Sequence, residues 1–128
     1  PVCGVAREQV LVCTTMIGVC ESMLYAQRAG LDPLAVISAI GSGAAGSWAI
    51  NNLGPKVVAA DYAPGFMIEH FVKDLGIALS EAEAMDLELP GLDLAHRLYA
   101  SLLERGFAKY GTQALVLAIQ AEAEKSHG

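Results

Sequence analysis

Residues 6–29 read as one long helix whose middle is apolar on almost every side. Between positions 10 and 20 only Thr14 and Thr15 are polar. A helix of that kind has no solvent face of its own, so it belongs at the centre of a bundle or inside an interface between subunits. Its length, on the order of 35 Å at about 1.5 Å per residue, spans a small domain. Gly30 stands where such a helix should stop, and Leu31 follows as the apolar residue that often closes the end. The rest of the chain must therefore supply elements that wrap this rod.

Those elements also read as helices. Asp32-Pro33 opens a second helix, with Asp32 as cap and Pro33 at the first helical position, ending near Ile40-Gly41. A short helix is expected over residues 47–52 and another from Gly54-Pro55 to about Ala60. Asp61 to Phe66 is a turn. A long amphipathic helix covers residues 67–85, and Leu87-Glu88-Leu89-Pro90 breaks it. Two more run over residues 92–105, ending at Gly106, and residues 112–125, with Thr112 as its cap. Period-2 alternation and β-branched runs are nearly absent. The expectation is one all-α domain over residues 1–128, a multi-helix bundle around the apolar axis.

Composition narrows the function. Of the 128 residues 54% are hydrophobic and 17% charged, so the chain either buries most of itself or shares a large surface with a partner. A net charge of −6 without a Lys/Arg cluster argues against nucleic acid. The uncharged run 9–20 is too short for a bilayer, and glycines 41, 43 and 46 break the next one, so no membrane span is expected. No signal-peptide pattern opens the sequence. Cys3, Cys13 and Cys20 are odd in number and lack CxxC spacing, which supports neither a disulfide framework nor zinc. Cys13 and Cys20, seven apart, read as small core residues, and reduced thiols favour the cytoplasm.

The glycine-rich stretch Gly41-Ser42-Gly43-Ala44-Ala45-Gly46-Ser47 has no strand before it and no Gly-Lys-Ser/Thr ending, so close helix packing is expected rather than phosphate binding. Lys73-Asp74 places a charge pair inside the apolar helix 67–85, where it must be paired, solvated or facing a cleft. His70, one turn before Lys73, could face the same cleft but reads as an ordinary packed or surface group, and His96 and His127 lack ligand partners, so no metal is expected. Trp48 reads as core. Glu81, Glu83, Asp86 and Glu88 read as a solvated helix end.

The order of motifs resembles the β-hydroxyacid dehydrogenases, relatives of 3-hydroxyisobutyrate dehydrogenase and tartronate semialdehyde reductase. The pieces are Glu21 through Asp32-Pro33, Gly43-Ala44-Ala45-Gly46-Ser47-Trp48, Asn52 through Pro55, Asp61-Tyr62-Ala63-Pro64-Gly65-Phe66, Lys73-Asp74-Leu75-Gly76-Ile77-Ala78, Leu89-Pro90 and the closing segment 108–119. The resemblance implies a helical substrate and dimerisation domain, like the C-terminal domain of 6-phosphogluconate dehydrogenase, that follows an N-terminal Rossmann domain. No Gly-x-Gly-x-x-Gly fingerprint occurs in these residues, so that domain is expected to be absent from them.

By the resemblance, Lys73 reaches the nicotinamide end of NAD or NADP and Phe66 lines the same place, while Ser47-Trp48 lies near the substrate pocket mouth. The family's general acid/base lysine falls at Val5, and its substrate-holding asparagine at Glu8 or Gln9. Neither residue type is present, and Arg7 is out of register and too basic to shuttle protons. The resemblance thus implies a domain that is inactive alone, binds no cofactor by itself, and forms a homodimer or larger assembly around a small hydroxyacid site. The alternative is a non-catalytic scaffold module derived from the same fold.

Overall fold

The structure, a computed structural model, describes residues 2–127, with side chains described over 6–125. Val5 and Cys3 therefore lie outside the described side chains, as does His127. Seven α-helices follow one another: α1 (Val2–Arg28), α2 (Pro33–Ile40), α3 (Trp48–Asn52), α4 (Gly54–Val58), α5 (Ile68–Ala84), α6 (Pro90–Glu104) and α7 (Leu115–His127). A 3-10 turn, Thr112–Ala114, leads into α7. Among the described residues there is no strand, only an isolated antiparallel bridge between Met67 and Gly111. The all-α expectation holds.

α1 is the axis, packed against each of the other six helices. Its buried stripe is Ala6, Cys13, Met16, Cys20 and Met23, with Val19 and Ala26 beside it. The spacing of three and four keeps that stripe on one side of the helix. It meets Ile68, Phe71 and Leu75 of α5, Leu92, Leu98, Tyr99 and Leu102 of α6, and Leu115 and Ala118 of α7 in one hydrophobic core. The opposite side of α1 is not enclosed: Leu11 is 70% and Tyr25 75% exposed. The sequence expectation of a rod buried all round is thus met on one face only. By length and composition alone Ala6–Arg28 is long and apolar enough to cross a bilayer, contrary to the estimate from the uncharged run, which ignored that isolated charges at the ends are tolerated. Here its buried stripe is taken up by neighbouring helices.

Four helices end in the same way. Gly30, Ala60, Asp86 and Gly106 have φ of +79°, +54°, +56° and +87°. In each case the next residue's N–H donates back across the last turn, Leu31 to Ala26, Asp61 to Lys56, Leu87 to Ala82 and Phe107 to Leu102, all at 2.9 Å. Glycine adopts this left-handed geometry freely and Asp tolerates it, but Ala pays steric strain there. Helix starts follow the sequence too. Asp32 accepts from the Leu34 N–H at 3.1 Å and Ser47 from the Ile50 N–H at 3.0 Å. Thr112 is not a cap: it is buried in the 3-10 turn, and Gly111 precedes that turn in extended geometry.

The Gly41–Ser47 segment is packed on itself rather than between helices. A Cβ on Gly46 would collide with the Gly41 carbonyl, and one on Gly41 with the Asn51 side chain. Asn51 holds the fold of this loop by donating to the carbonyls of Gly41 and Ser47, at 3.0 and 3.1 Å.

Cys13 and Cys20 are fully buried free thiols, as the core reading expects. Burial raises both, and Cys20 is pushed up to about 12. A thiol held neutral by the fold ionises more readily in the unfolded chain. Its contribution is therefore intact below its ordinary value of 9.0 and is lost as pH climbs from there towards 12. Two outcomes are expected. Iodoacetamide at pH 8 should leave Cys13 and Cys20 unmodified by peptide mass spectrometry until urea unfolds the chain, and urea midpoints should fall between pH 9 and 11. Separately, Ala60→Gly should raise stability by about 0.5–1 kcal/mol in urea melts, because relief of left-handed strain exceeds the entropy glycine adds to the unfolded chain.

Candidate functional site

The N-terminal end of α5 is set by two loops zipped together. Gln113, only 1% exposed, donates from its amide nitrogen to the carbonyls of Asp61 and Ala63, each at 2.9 Å. Gly111 N–H donates to the Tyr62 carbonyl at 2.8 Å, and the Ile68 and Glu69 N–H groups donate to Tyr110 and Ala108 at 2.9 and 3.0 Å. A Cβ on Gly111 would press on the Gln113 amide, which could yield only by giving up its hydrogen bonds to Asp61 and Ala63. Lys109 closes the edge with an ion pair to Glu69 at 2.6 Å, and that hydrogen bond holds the Glu69 carboxyl below the usual range. The loop carrying Phe66 is therefore fixed from three sides.

Phe66 sits just before α5 and is 41% exposed. Its ring meets Phe71 edge-on at 6.0 Å, and Phe71 in turn meets buried Tyr99 at 4.8 Å. Tyr99 donates its hydroxyl to the Thr112 carbonyl at 2.9 Å, and burial pushes its phenol well above the ordinary value. His70 lies 6.2 Å from Phe66 and 3.8 Å from the Glu69 carboxylate, an exposed surface group as expected. His70 and Lys73, three apart on α5, lie on neighbouring turns, and Phe66 precedes the helix in the loop that leads into it.

Lys73 is exposed and makes no ion pair among the described residues. The Lys-Asp dipeptide is not a mutual pair. Successive helical residues project about 100° apart, and Asp74 instead accepts from the Gln9 amide of α1 at 3.4 Å. Asp74 thus ties α5 to α1 beside the exposed Glu8, which leaves the Lys73 ammonium free. Arg7 is exposed and lines a depression of about 350 Å³ with Leu11, Thr14, Leu89 and Pro90. Val5 lies outside the described side chains.

Other candidates separate clearly. Trp48 is 70% exposed, not core, because Ser47 caps α3 and turns Ala49 and Ile50 inward in its place. His96 is half-buried against Gly76, and among the described residues no three His, Cys, Asp or Glu side chains gather as metal ligands. Glu83, Asp86 and Glu88 are solvated at the end of α5, while Glu81 is half-buried. Sequence reasoning missed Gln113. Its one signal was a glycine two residues ahead of it at a helix start.

A family model described as the NAD-binding region of NADP-dependent 3-hydroxyisobutyrate dehydrogenase matches residues 6–119. The chain belongs to the 3-hydroxyisobutyrate dehydrogenase family. It is 49% identical over 108 residues to the oxidoreductase YkwC of Bacillus subtilis, covering 84% of this chain and 38% of that protein. It is 48% identical over 113 residues to the probable mitochondrial 3-hydroxyisobutyrate dehydrogenase-like 1 of Arabidopsis thaliana, covering 88% and 34%. The crystal structure of 3-hydroxyisobutyrate dehydrogenase from Salmonella typhimurium matches with a TM-score of 0.77 at 31% identity, over 87% of this chain and 39% of that one. The chain therefore spans less than two fifths of the length of these relatives, and the resemblance read from the motifs is confirmed.

If Lys73 serves a ligand rather than the fold, Lys73→Ala should leave the unfolding free energy from urea melts within about 0.5 kcal/mol of the parent. A loss above 1 kcal/mol would make it a structural residue instead.

Proposed function

We propose that this chain is the helical part of an NAD(P)-dependent 3-hydroxyacid dehydrogenase, that it contributes one wall of the substrate cleft and a subunit interface, and that it is inactive alone. The observation that carries this reading is an exposed Lys73 with no ion pair among the described residues, on the helix that half-exposed Phe66 leads into, in a scaffold that matches the family over residues 6–119. An exposed cation and an exposed aromatic edge at the start of one helix suit an anionic, planar group such as a dinucleotide. That cofactor, when bound, gives or takes the hydride. Lys73 and Phe66 would face it, and Asp74 would hold their helix against α1 through Gln9.

The reaction also needs a group that takes the hydroxyl proton. A lysine of lowered pKa suits that task, and an amide one turn later orients the substrate. Val5 cannot carry a proton, and Glu8 would repel a hydroxyacid carboxylate where an amide would bind it. These two residues favour the second reading, a scaffold module that keeps the fold without the chemistry. The two buried free thiols support a reducing compartment, which we take to be the cytoplasm.

A chimera tests both readings. The matching portion of the Salmonella enzyme is replaced by this chain, and NAD(P)-linked turnover of 3-hydroxyacids is measured. With Val5→Lys and Glu8→Asn the chimera should turn over, and with Val5 and Glu8 kept it should be about 10²–10⁴-fold slower. Adding Lys73→Ala to the restored chimera should raise KM for the dinucleotide more than it lowers kcat. A restored chimera that binds dinucleotide yet turns nothing over would favour the scaffold reading.

A further inference from the structure

Gln113 is buried for the sake of an exposed loop. It is 1% exposed, in the 3-10 turn that leads into α7, yet its amide nitrogen donates twice to the backbone of a segment whose residues 63–66 are all exposed. An apolar side chain of the same length would fill that space without the cost of burying an amide. What the amide adds is direction. It captures the carbonyls of Asp61 and Ala63, and the Gly111 N–H captures the Tyr62 carbonyl between them. Three successive peptide groups are thus held from one short segment. The Asp61 carboxylate closes the same bend by accepting from the Ala63 N–H at 3.1 Å.

The turn that grips is itself gripped. Tyr99 donates to the Thr112 carbonyl, and the Ala114 N–H donates to the Gly111 carbonyl at 3.0 Å. Past Ala63 the chain is next fastened at Met67, which bridges Gly111, and at Ile68, whose N–H donates to Tyr110. Only Pro64, Gly65 and Phe66 lie between the two fastenings. The bend at Gly65 is open, since a Cβ there would meet nothing within 4 Å. Phe66 stands at the end of this short span with its ring edge-on to Phe71, so the ring is placed largely by where the two ends are held.

From this geometry we infer that Gln113 is a positioning residue for the dinucleotide wall: it acts through the 61–66 loop on Phe66 and sets how well that ring meets the cofactor. This role rests on the dehydrogenase reading proposed above and adds to it a residue that touches no ligand. A glutamine that served the core alone would lower stability when lost, and any effect on ligand affinity would be independent of Phe66.

Two measurements test the role. On the full chain, hydrogen exchange compares the parent with Gln113→Met, which keeps the side-chain length and removes both donors. The Ala63 and Gly111 amides should gain at least about tenfold more in rate than amides inside α6, because the loop then opens on its own. Gln113→Leu, which also lacks donors, should give the same pattern. In the restored chimera, dissociation constants for NADH and NADPH are read from their fluorescence. Phe66→Ala should weaken the preferred dinucleotide about tenfold. Gln113→Met should weaken it about three- to tenfold, since a loosened ring must be ordered on binding. The double variant should stay within about twofold of Phe66→Ala, because Gln113 acts only by way of that ring. Effects of the two substitutions that simply multiply overturn the inference. So does parent affinity in the Gln113→Met chimera, or Ala63 and Gly111 exchange that rises no more than that of α6. Failure of the dehydrogenase reading has a different signature: Phe66→Ala then leaves dinucleotide affinity at the parent value, which overturns both.

Discussion

The core is organised by one constraint: a single helix must satisfy six neighbours at once. α1 meets it with a stripe of small and pliable side chains, Cys13, Met16, Cys20 and Met23, all fully buried. Larger branched residues at those positions would hold the surrounding helices further out and open voids beside the thinner ones, each costing contact energy. Methionine fills irregular gaps, and a buried thiol behaves as a small hydrophobe. The bulky residues come from the outer helices instead, as Phe71, Tyr99 and Leu102. The high apolar content of the chain is thereby divided between an inner stripe of modest volume and an outer shell that fills the space around it.

The same axis joins fold to site. Cys20 of α1 lies under the Gln113 carbonyl at 4.0 Å, and Gln113 grips the carbonyls of the loop that ends in Phe66. Burying a glutamine is costly unless its amide is satisfied, and here both amide hydrogens are used on that loop. The loop cannot shift without leaving those hydrogens unpaired inside the protein. Phe66 and the first turn of α5 inherit their position from this clamp, and Lys73 follows two turns later on a rigid helix.

What the sequence made legible was local. Asp32 and Ser47 announced helix starts, Gly30 and Gly106 announced ends, and Pro90, read as the break after α5, proves to be the first residue of α6, because each signal acts within one turn of itself. Ala60 and Asp86 end helices by the same geometry without the residue that usually advertises it. Tertiary packing imposes that conformation and the residue bears the strain. Gln113, the Gln9–Asp74 link and the outward turn of Trp48 were illegible for a related reason. Each depends on partners between 50 and 65 residues away, or on which of two adjacent side chains a cap turns inward. Family motif order recovered the helical fold, since it encodes such distant relations implicitly, and it is what singles out Lys73 and Phe66 as candidates. It carried no account of why Lys73 is free.

That freedom follows from the helix itself. Neighbouring residues on a helix point in different directions, so an adjacent lysine and aspartate neutralise each other poorly. Asp74 accepts from Gln9 across the α1–α5 seam, and the exposed ammonium beside it has no counter-ion among the described residues. The helix fixes where that cation starts, while its exposed four-carbon stem remains free to reach an anionic group and gives up rotamer entropy on meeting one. Proton transfer asks for something different, a base of tuned pKa on α1, and Val5 and Glu8 do not supply it. In the proposed reading, binding and proton chemistry belong to separate helices and answer to separate residues. A chain can keep the first, with its fold intact, after losing the second.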